Sequence, residues 1–186
     1  MSAYHDGQRA LQDRHDSRRL ADRLEELTYH EALTDEERAF IERAPFFFLA
    51  TADEAGLPDV SYKGGAPGFV RCVDDRTLRF DAYDGNGQFR SLGNVLVNPQ
   101  VSLLFVDFAS PNRLRLQGRA ALGEGLATMS STLPVRVELT RVWPNCPRYV
   151  HKMELVELSP NAPREGHVPP DAEWKQWFTG DLPRPA

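Results

Sequence analysis

The fold class is decided by residues 101–121, which read VSLLFVDFASPNRLRLQGRAA. Two arms rich in β-forming residues, 101–108 and 113–121, flank Ala109-Ser110-Pro111-Asn112, which has the composition of a turn. In the second arm, four polar residues alternate with apolar ones: Arg113, Arg115, Gln117 and Arg119. Successive side chains of a strand point to opposite faces, so the stretch predicts a β-hairpin with these four residues on one face. We expect water to solvate most of these charges.

Two similar hairpins precede this one, and another strand follows it. The arms and turns lie at 46–52, 53–56 and 59–62 for the first hairpin and at 70–73, 74–75 and 77–80 for the second. Alternation at 135–142 indicates the later strand, while 151–159 suits either a strand or a helix. Short strands at regular spacing predict an antiparallel barrel or sandwich rather than alternating strands and helices.

Helices are predicted in three places. Sparse apolar residues at helical spacing predict a charged helical arm over Arg9–Leu27. Thr34 and Glu37 form a capping-box pattern that starts a second helix, and a third is predicted over Gln88–Val97. The chain is therefore divided into an N-terminal helical arm (1–43), a barrel domain (44–159) and a carboxyl-terminal tail (160–186) packed on the barrel or on a partner subunit.

Composition restricts the class of protein. Hydrophobic residues make up 41% of the chain and charged residues 26%, and the net charge of -5 without a basic run argues against a nucleic-acid partner. Cys72 and Cys146 form no CxxC pair and the histidines are scattered, so neither a disulfide framework nor a metal site is expected. The amino terminus lacks the apolar core of a signal peptide, and the longest apolar run, Phe46–Ala50, is too short to cross a membrane. We therefore expect a cytoplasmic protein with no membrane partner.

A glycine-containing turn, Asp84-Gly85-Asn86-Gly87, leads directly into the third predicted helix. Glycines let successive amides point at one group of oxygens, and a helix start adds free N–H groups and a positive dipole. With a planar guanidinium at Arg90 and a hydroxyl at Ser91, the segment predicts a phosphate site. The alternative is an ordinary helix start that Asn86 caps, with Arg90 in solvent. Arg90 also replaces the third glycine of a dinucleotide fingerprint, which argues against a Rossmann site.

The end of the first hairpin is a second candidate binding segment. Strand alternation puts Ser61 and Lys63 on one face and Val60 and Tyr62 on the other. Lys63 is a candidate counter-charge for a phosphate or a ring, and the glycines that follow it would let backbone amides approach a flat ligand closely. The alternative is that residues 64–68 form only a flexible hairpin loop.

Taken in order, these segments resemble the FMN-binding split barrel of pyridoxamine 5'-phosphate oxidase-like proteins. The resemblance extends from about Ala44 to Glu124 and includes the first hairpin, the glycine turn with its helix, and the 101–121 hairpin. It implies a mainly β fold with flanking helices, an antiparallel split β-barrel. It also implies an oxidoreductase that works as a homodimer and binds FMN at the twofold interface.

The resemblance further implies which residues hold the cofactor. Ring or ribityl contacts fall on Ser61, Tyr62, Lys63 and Gly64, phosphate contacts on Asn86, Gly87, Arg90 and Ser91, and a ring-edge contact on Arg113. The partner subunit is expected to add contacts, for which the candidates are Trp143, Arg148 and Trp174. No catalytic residue is assigned.

The sequence departs from the true oxidases of this family where they bind vitamin B6. Those enzymes use basic and hydroxyl residues after the position of Ala121 and an Arg-x-His pair near the carboxyl terminus. Residues 124–134 carry no such basic series, and the tail has Phe178-Thr179-Gly180-Asp181-Leu182-Pro183. We therefore expect an FMN-dependent oxidoreductase with another small-molecule substrate and NAD(P)H as a candidate electron donor. The alternatives are a split barrel that binds F420 or haem, and a non-catalytic protein that stores or senses flavin.

Overall fold

The computed structural model of the chain describes residues 3–83, 85–123 and 133–182. In these ranges the strands are β1 (Phe46–Ala52), β2 (Pro58–Gly64), β3 (Val70–Cys72), β4 (Thr77–Ala82), β5 (Gln100–Asp107), β6 (Asn112–Leu122) and β7 (Leu133–Asn145). The helices are α1 (Asp6–Arg14), α2 (Arg18–Thr28), α3 (Asp35–Arg43) and α4 (Arg90–Val97), and Glu173–Phe178 forms a 3-10 helix. Two predicted features fall partly outside the described residues: Asp84 of the glycine turn and most of the 124–134 stretch.

The strands form one antiparallel sheet in the order β2-β1-β5-β6-β7-β4-β3. Its hairpins β1–β2, β3–β4 and β5–β6 are the three that turn chemistry predicted. No pairing within the described ranges joins the edge strands β2 and β3, so the half-barrel stays open along one side. This arrangement confirms the predicted antiparallel split β-barrel.

Phe47 lies at the centre of the core. Side chains of β1 alternate between buried and half-buried, and Phe47 is fully buried. Its ring centroid lies 5.0 Å from those of Phe80 and Phe105 and 5.9 Å from that of Phe69. The aromatic cluster therefore ties β1 to β4, to β5 and to the loop before β3.

The β6 strand follows the predicted alternation. Leu114 and Leu116 are buried, whereas Arg115, Gln117 and Arg119 are exposed. Water solvates these three polar side chains, as expected, and the apolar face of β6 packs into the core.

Helix α3 covers the free edge of β3. It starts with the predicted capping box, in which Thr34 Oγ1 accepts the Glu37 amide at 3.2 Å and the Glu37 carboxylate accepts the Thr34 amide at 2.9 Å. Farther along the helix, Glu42 accepts the Cys72 N–H at 3.0 Å and Arg38 donates to the Cys72 carbonyl at 3.3 Å. Side chains of α3 thus bind backbone groups that an edge strand otherwise exposes.

The structure differs from the predicted elements in three places. The amino-terminal arm is two helices, because Asp16 between α1 and α2 has a left-handed φ of 49°. Helix α4 begins at Arg90 rather than Gln88, because Phe89 also has a φ of 49°. Residues 151–159 form neither a strand nor a helix. Among the described helices, none has the length and apolar character needed to cross a membrane.

Candidate functional site

A cavity of about 490 Å³ opens where β2, the end of β4 and the start of α4 meet. Its volume lies within the range of roughly 300–1,000 Å³ that is typical of small-molecule sites. The walls are formed by Asp59, Val60, Ser61, Lys63, Ala82, Tyr83, Gly85, Asn86, Gly87, Phe89, Arg90, Ser91, Leu92, Leu133, Ala172 and Trp174. Of the predicted cofactor residues, the structure brings together Ser61, Lys63, Asn86, Gly87, Arg90 and Ser91.

The start of α4 presents hydrogen-bond donors to this cavity. Its N-cap residue, Phe89, makes no side-chain capping bond, and Asn86 accepts an amide of the turn at 3.1 Å instead of capping the helix. Within the described residues, the amides of Arg90, Ser91 and Leu92 have no hydrogen-bond partner. Amides at a helix start need a partner from outside the helix. The segment therefore has the donor groups of an anion site.

Arg90 adds a positive charge at the same helix start. Its Nε lies 3.9 Å from Asp59 Oδ2, and 73% of the arginine side chain is exposed. An exposed pair of this kind stabilises a protein by only about 0–1 kcal/mol, and a cation at a helix start opposes the helix dipole. Arg90 therefore contributes little to the stability of the unliganded protein, whereas a bound anion would gain from it.

Ser61 and Ser91 form a hydroxyl pair in the wall of the cavity. The Ser91 hydroxyl is buried and donates to the Ser61 hydroxyl at 2.9 Å. Ser61 can then donate its own hydrogen into the cavity. The sequence predicted Ser91 as a direct phosphate contact, whereas in the structure its side chain positions Ser61 and its amide stays available at the helix start.

Lys63 lies on the same face of β2 as Ser61, in register with the buried Phe47. Burial lowers the pKa of the Lys63 ammonium, and the Asp59 carboxylate acts in the opposite direction. No carboxylate in the described part of the chain lies within ion-pair distance of Lys63. A partly desolvated ammonium without a bonded partner suits an anionic or electron-rich ligand.

Three of the predicted cofactor residues, Tyr62, Gly64 and Arg113, do not line this cavity. Tyr62 lies on the other face of β2, where its ring stacks on Phe46 with centroids 5.4 Å apart. A Cβ at Gly64 would lie against the Tyr62 ring, so Gly64 also lies on the Tyr62 face of β2. Arg113 lies at the beginning of β6 and donates to the Cys146 carbonyl. Strand alternation directs the Tyr62 side chain to the face of β2 opposite Ser61 and Lys63.

Two titratable residues of the cavity wall, Asp59 and Tyr83, were not among the residues predicted from the sequence. Asp59 alternates with Ser61 and Lys63, so the strand period already contained that signal. Tyr83 directly precedes the glycine turn, and burial, with a smaller effect of Asp81, raises the pKa of its phenol. Trp174, one of three candidates for a contact from the partner subunit, also lines the cavity of its own chain. That contact is tertiary, and no local pattern indicates it.

Several solved structures are similar to the chain, and the first of those given next supports the fold. A candidate pyridoxamine 5'-phosphate oxidase from Lactobacillus delbrueckii is 20% identical, with a TM-score of 0.51, and the match covers 63% of this chain and 99% of that one. An F420 reductase is 20% identical over 59% of this chain and 98% of its own, with a TM-score of 0.43. HutZ, a haem storage protein from Vibrio cholerae, is 19% identical over 58% of this chain and 90% of its own, also with a TM-score of 0.43. No curated protein sequence matches the chain at a significant level.

The open antiparallel barrel defines a split-barrel protein, and its cavity has the size of a small-molecule site. The family model described as pyridoxamine 5'-phosphate oxidase matches residues 33–133, just over half of the 186 residues. The chain belongs to this family, which confirms the resemblance seen in the sequence.

Proposed function

We propose that the chain binds FMN in this cavity and works as an FMN-dependent oxidoreductase. The observation that carries the proposal is the open start of α4. Its first three amides have no hydrogen-bond partner among the described residues, and it lies beside Arg90 in one cavity with Ser61 and Lys63. In proteins, helix starts of this kind commonly bind phosphate. The adjoining strand offers polar groups to a ring. A ligand with a phosphate at one end and a polar ring at the other fits this arrangement.

Different residues would bind the two ends of the ligand. The amides of α4 and the guanidinium of Arg90 would hold the phosphate, and Gly87, with a φ of 74°, lets the turn approach it without a side chain in the way. Ser61 and Lys63 would orient the ring, and the Lys63 ammonium favours a ligand that carries or gains negative charge. Bound flavin would supply the electron-transfer chemistry, while the protein binds it, orients it and limits access of water.

Vitamin B6 oxidation is not part of the proposal, because the sequence lacks the basic residues that the family's oxidases use for that substrate. NAD(P)H is the proposed electron donor, and the cytoplasm the proposed location. F420, haem and flavin storage are the alternative outcomes of the experiment below.

The absorption spectrum of the purified chain after incubation with FMN tests the proposal. We expect a flavin spectrum that persists after gel filtration and bleaches when NADH or NADPH is added without oxygen. A flavin spectrum that neither nucleotide bleaches would favour storage or sensing, and a haem or deazaflavin spectrum would favour those ligands. A chain that takes up no FMN contradicts the proposal.

Assembly as a homodimer is proposed together with the cofactor. The outer face of the sheet carries an apolar cross-strand row, Tyr62, Phe48 and Leu104, and both Tyr62 and its neighbour Val60 are more than half exposed. Contiguous exposed apolar surface of this kind marks interaction sites. Light scattering is expected to give twice the mass of one chain, and a monomer would contradict the proposal.

Replacing Lys63 with methionine is expected to separate stability from binding. Burial lowers the pKa of Lys63 in the folded chain below its value of 10.5 in the unfolded chain. The buried ammonium therefore lowers the free energy of unfolding at neutral pH. This destabilisation disappears as the pH rises towards 10.5, because the group then loses its proton in both states. The Lys63→Met chain should therefore unfold at a higher denaturant concentration than the natural chain at pH 7, with a smaller difference at pH 10. It should also bind FMN about tenfold more weakly or worse, because a charge-assisted contact is lost.

The matched control is Lys152→Met, at an exposed lysine outside the cavity. It should change neither the unfolding midpoint nor the FMN affinity. Equal effects of the two substitutions would contradict the assignment of Lys63 to the ring end of the site.

A further inference from the structure

The carboxyl-terminal strap, defined as residues 160–182, crosses the barrel surface and ends over the cavity. Ala162 is buried and anchors its beginning. Pro163, Arg164 and Glu165 then line a shallow depression that shares Tyr83 with the main cavity. Beyond this point Ala172 and Trp174 form part of the wall of the main cavity. The strap thus runs from the α3 side of the barrel to the proposed cofactor site.

The backbone of the strap bonds only to itself or to Ser159 just before it, as far as the described residues show. In the described residues, the backbone–backbone hydrogen bonds of the strap are all local: His167 to Arg164 and Lys175 to Ala172, each 3.0 Å, Ala162 to Ser159 at 3.0 Å, and Asp181 to Phe178 at 2.9 Å. No backbone bond of this set reaches a strand of the barrel. Segments fixed mainly by side-chain packing open at a low free-energy cost, and lids over binding sites are drawn from such segments.

One aromatic side chain of the strap reaches the cavity. The 3-10 helix Glu173–Phe178 carries Trp174, Trp177 and Phe178, and of these only Trp174 lines the cavity wall. Trp174 is half-buried, whereas Trp177 is 77% exposed. An indole offers a flat apolar face and one N–H donor, which suits a planar heteroaromatic ring.

We propose that the strap is a lid over the cofactor cavity and that Trp174 is the residue that closes it, by packing its indole against the planar part of the bound ligand. The identity of that ligand as FMN rests on the proposed function. The closing residue belongs to the same chain as the cavity. When the strap is closed, water and small solutes reach the ligand less easily.

Trp174→Ala tests the lid, with Trp177→Ala as the matched control on the same turn. The first readout is FMN itself. We expect Trp174→Ala to weaken FMN binding about two- to tenfold, the range expected for one aromatic contact. Bound FMN in that variant should also be more fluorescent and more accessible to iodide quenching, whereas Trp177→Ala should match the natural chain. Equal affinity and equal iodide accessibility in all three chains would overturn the lid.

The second readout does not need FMN. Trypsin should cut the strap after Lys175 at least about threefold faster in ligand-free Trp174→Ala than in the natural chain or in Trp177→Ala, because loss of the anchoring side chain favours the open state. Cleavage after the exposed Arg148, which lies outside the strap, serves as the internal reference and should not change. If the natural chain binds no FMN, the proposed function fails, and the proteolysis rates alone then decide on the lid. An unchanged rate after Lys175 in Trp174→Ala would overturn it.

Discussion

Replacing Phe47 with alanine is expected to lower the free energy of unfolding by about 3–5 kcal/mol, the usual cost of emptying a buried phenylalanine site. Phe47 is fully buried, and the rings of Phe80 and Phe105 lie 5.0 Å away on two sides. These rings belong to strands β4 and β5 and cannot close the cavity without moving the sheet. Since single domains are stable by about 5–15 kcal/mol in total, the variant should be close to unfolding at 37 °C.

Urea unfolding followed by tryptophan fluorescence would measure the loss. The matched control is Phe48→Ala, the next residue of the same strand, whose half-buried ring lies on the outer face of the sheet. We expect this control to cost clearly less, because its site is already partly open to water. An equal or greater loss in Phe48→Ala would mean that the core is not centred on Phe47.

Replacing Arg90 with alanine is expected to weaken FMN binding about ten- to a hundredfold while leaving the unfolding midpoint nearly unchanged. A hydrogen bond to a charged group contributes about 1.5–3 kcal/mol, and each 1.4 kcal/mol is a factor of ten in affinity. The fold should tolerate the change because the side chain is 73% exposed and its distance to Asp59 is 3.9 Å. Isothermal titration with FMN, alongside thermal unfolding, would separate the two effects.

Asp59→Asn is the matched control for this prediction. It removes the same ion pair from the other side and keeps the guanidinium, so FMN affinity should be equal or higher. Full FMN affinity in Arg90→Ala would contradict the phosphate assignment, and a loss of affinity in Asp59→Asn equal to that in Arg90→Ala would attribute the effect to the ion pair.

Local patterns predicted most of the fold. Turn composition between β-forming runs located all three hairpins, and the Thr34 and Glu37 capping box located the start of α3. The errors came from single residues in uncommon backbone conformations. Asp16 and Phe89 both adopt a left-handed φ of 49°, a conformation uncommon for residues other than glycine.

The cavity was only partly predictable, for a different reason. Ser61, Lys63 and Arg90 lie in segments whose period and turn chemistry are visible in the sequence, and they line one cavity in the structure. Tyr62 was included because the family resemblance implies ring contacts along this strand, partly through the backbone, although alternation directs its side chain to the other face. Trp174 follows Arg90 by 84 residues and Lys63 by 111 residues along the chain. A contact of that range depends on the path of the whole strap.

The two side-chain bonds from α3 to Cys72 also bear on how the protein resists aggregation. An open barrel has two edges, and an uncovered edge can recruit a strand from another molecule. Glu42 and Arg38 occupy the outward N–H and C=O of Cys72, so a foreign strand would first have to displace the helix. Because the capping box fixes the start of that helix, fraying at Thr34 would weaken the cover over an edge some 38 residues later in the chain. Resistance to intermolecular strand addition is thus linked to the integrity of one short helix that takes no part in the cofactor site.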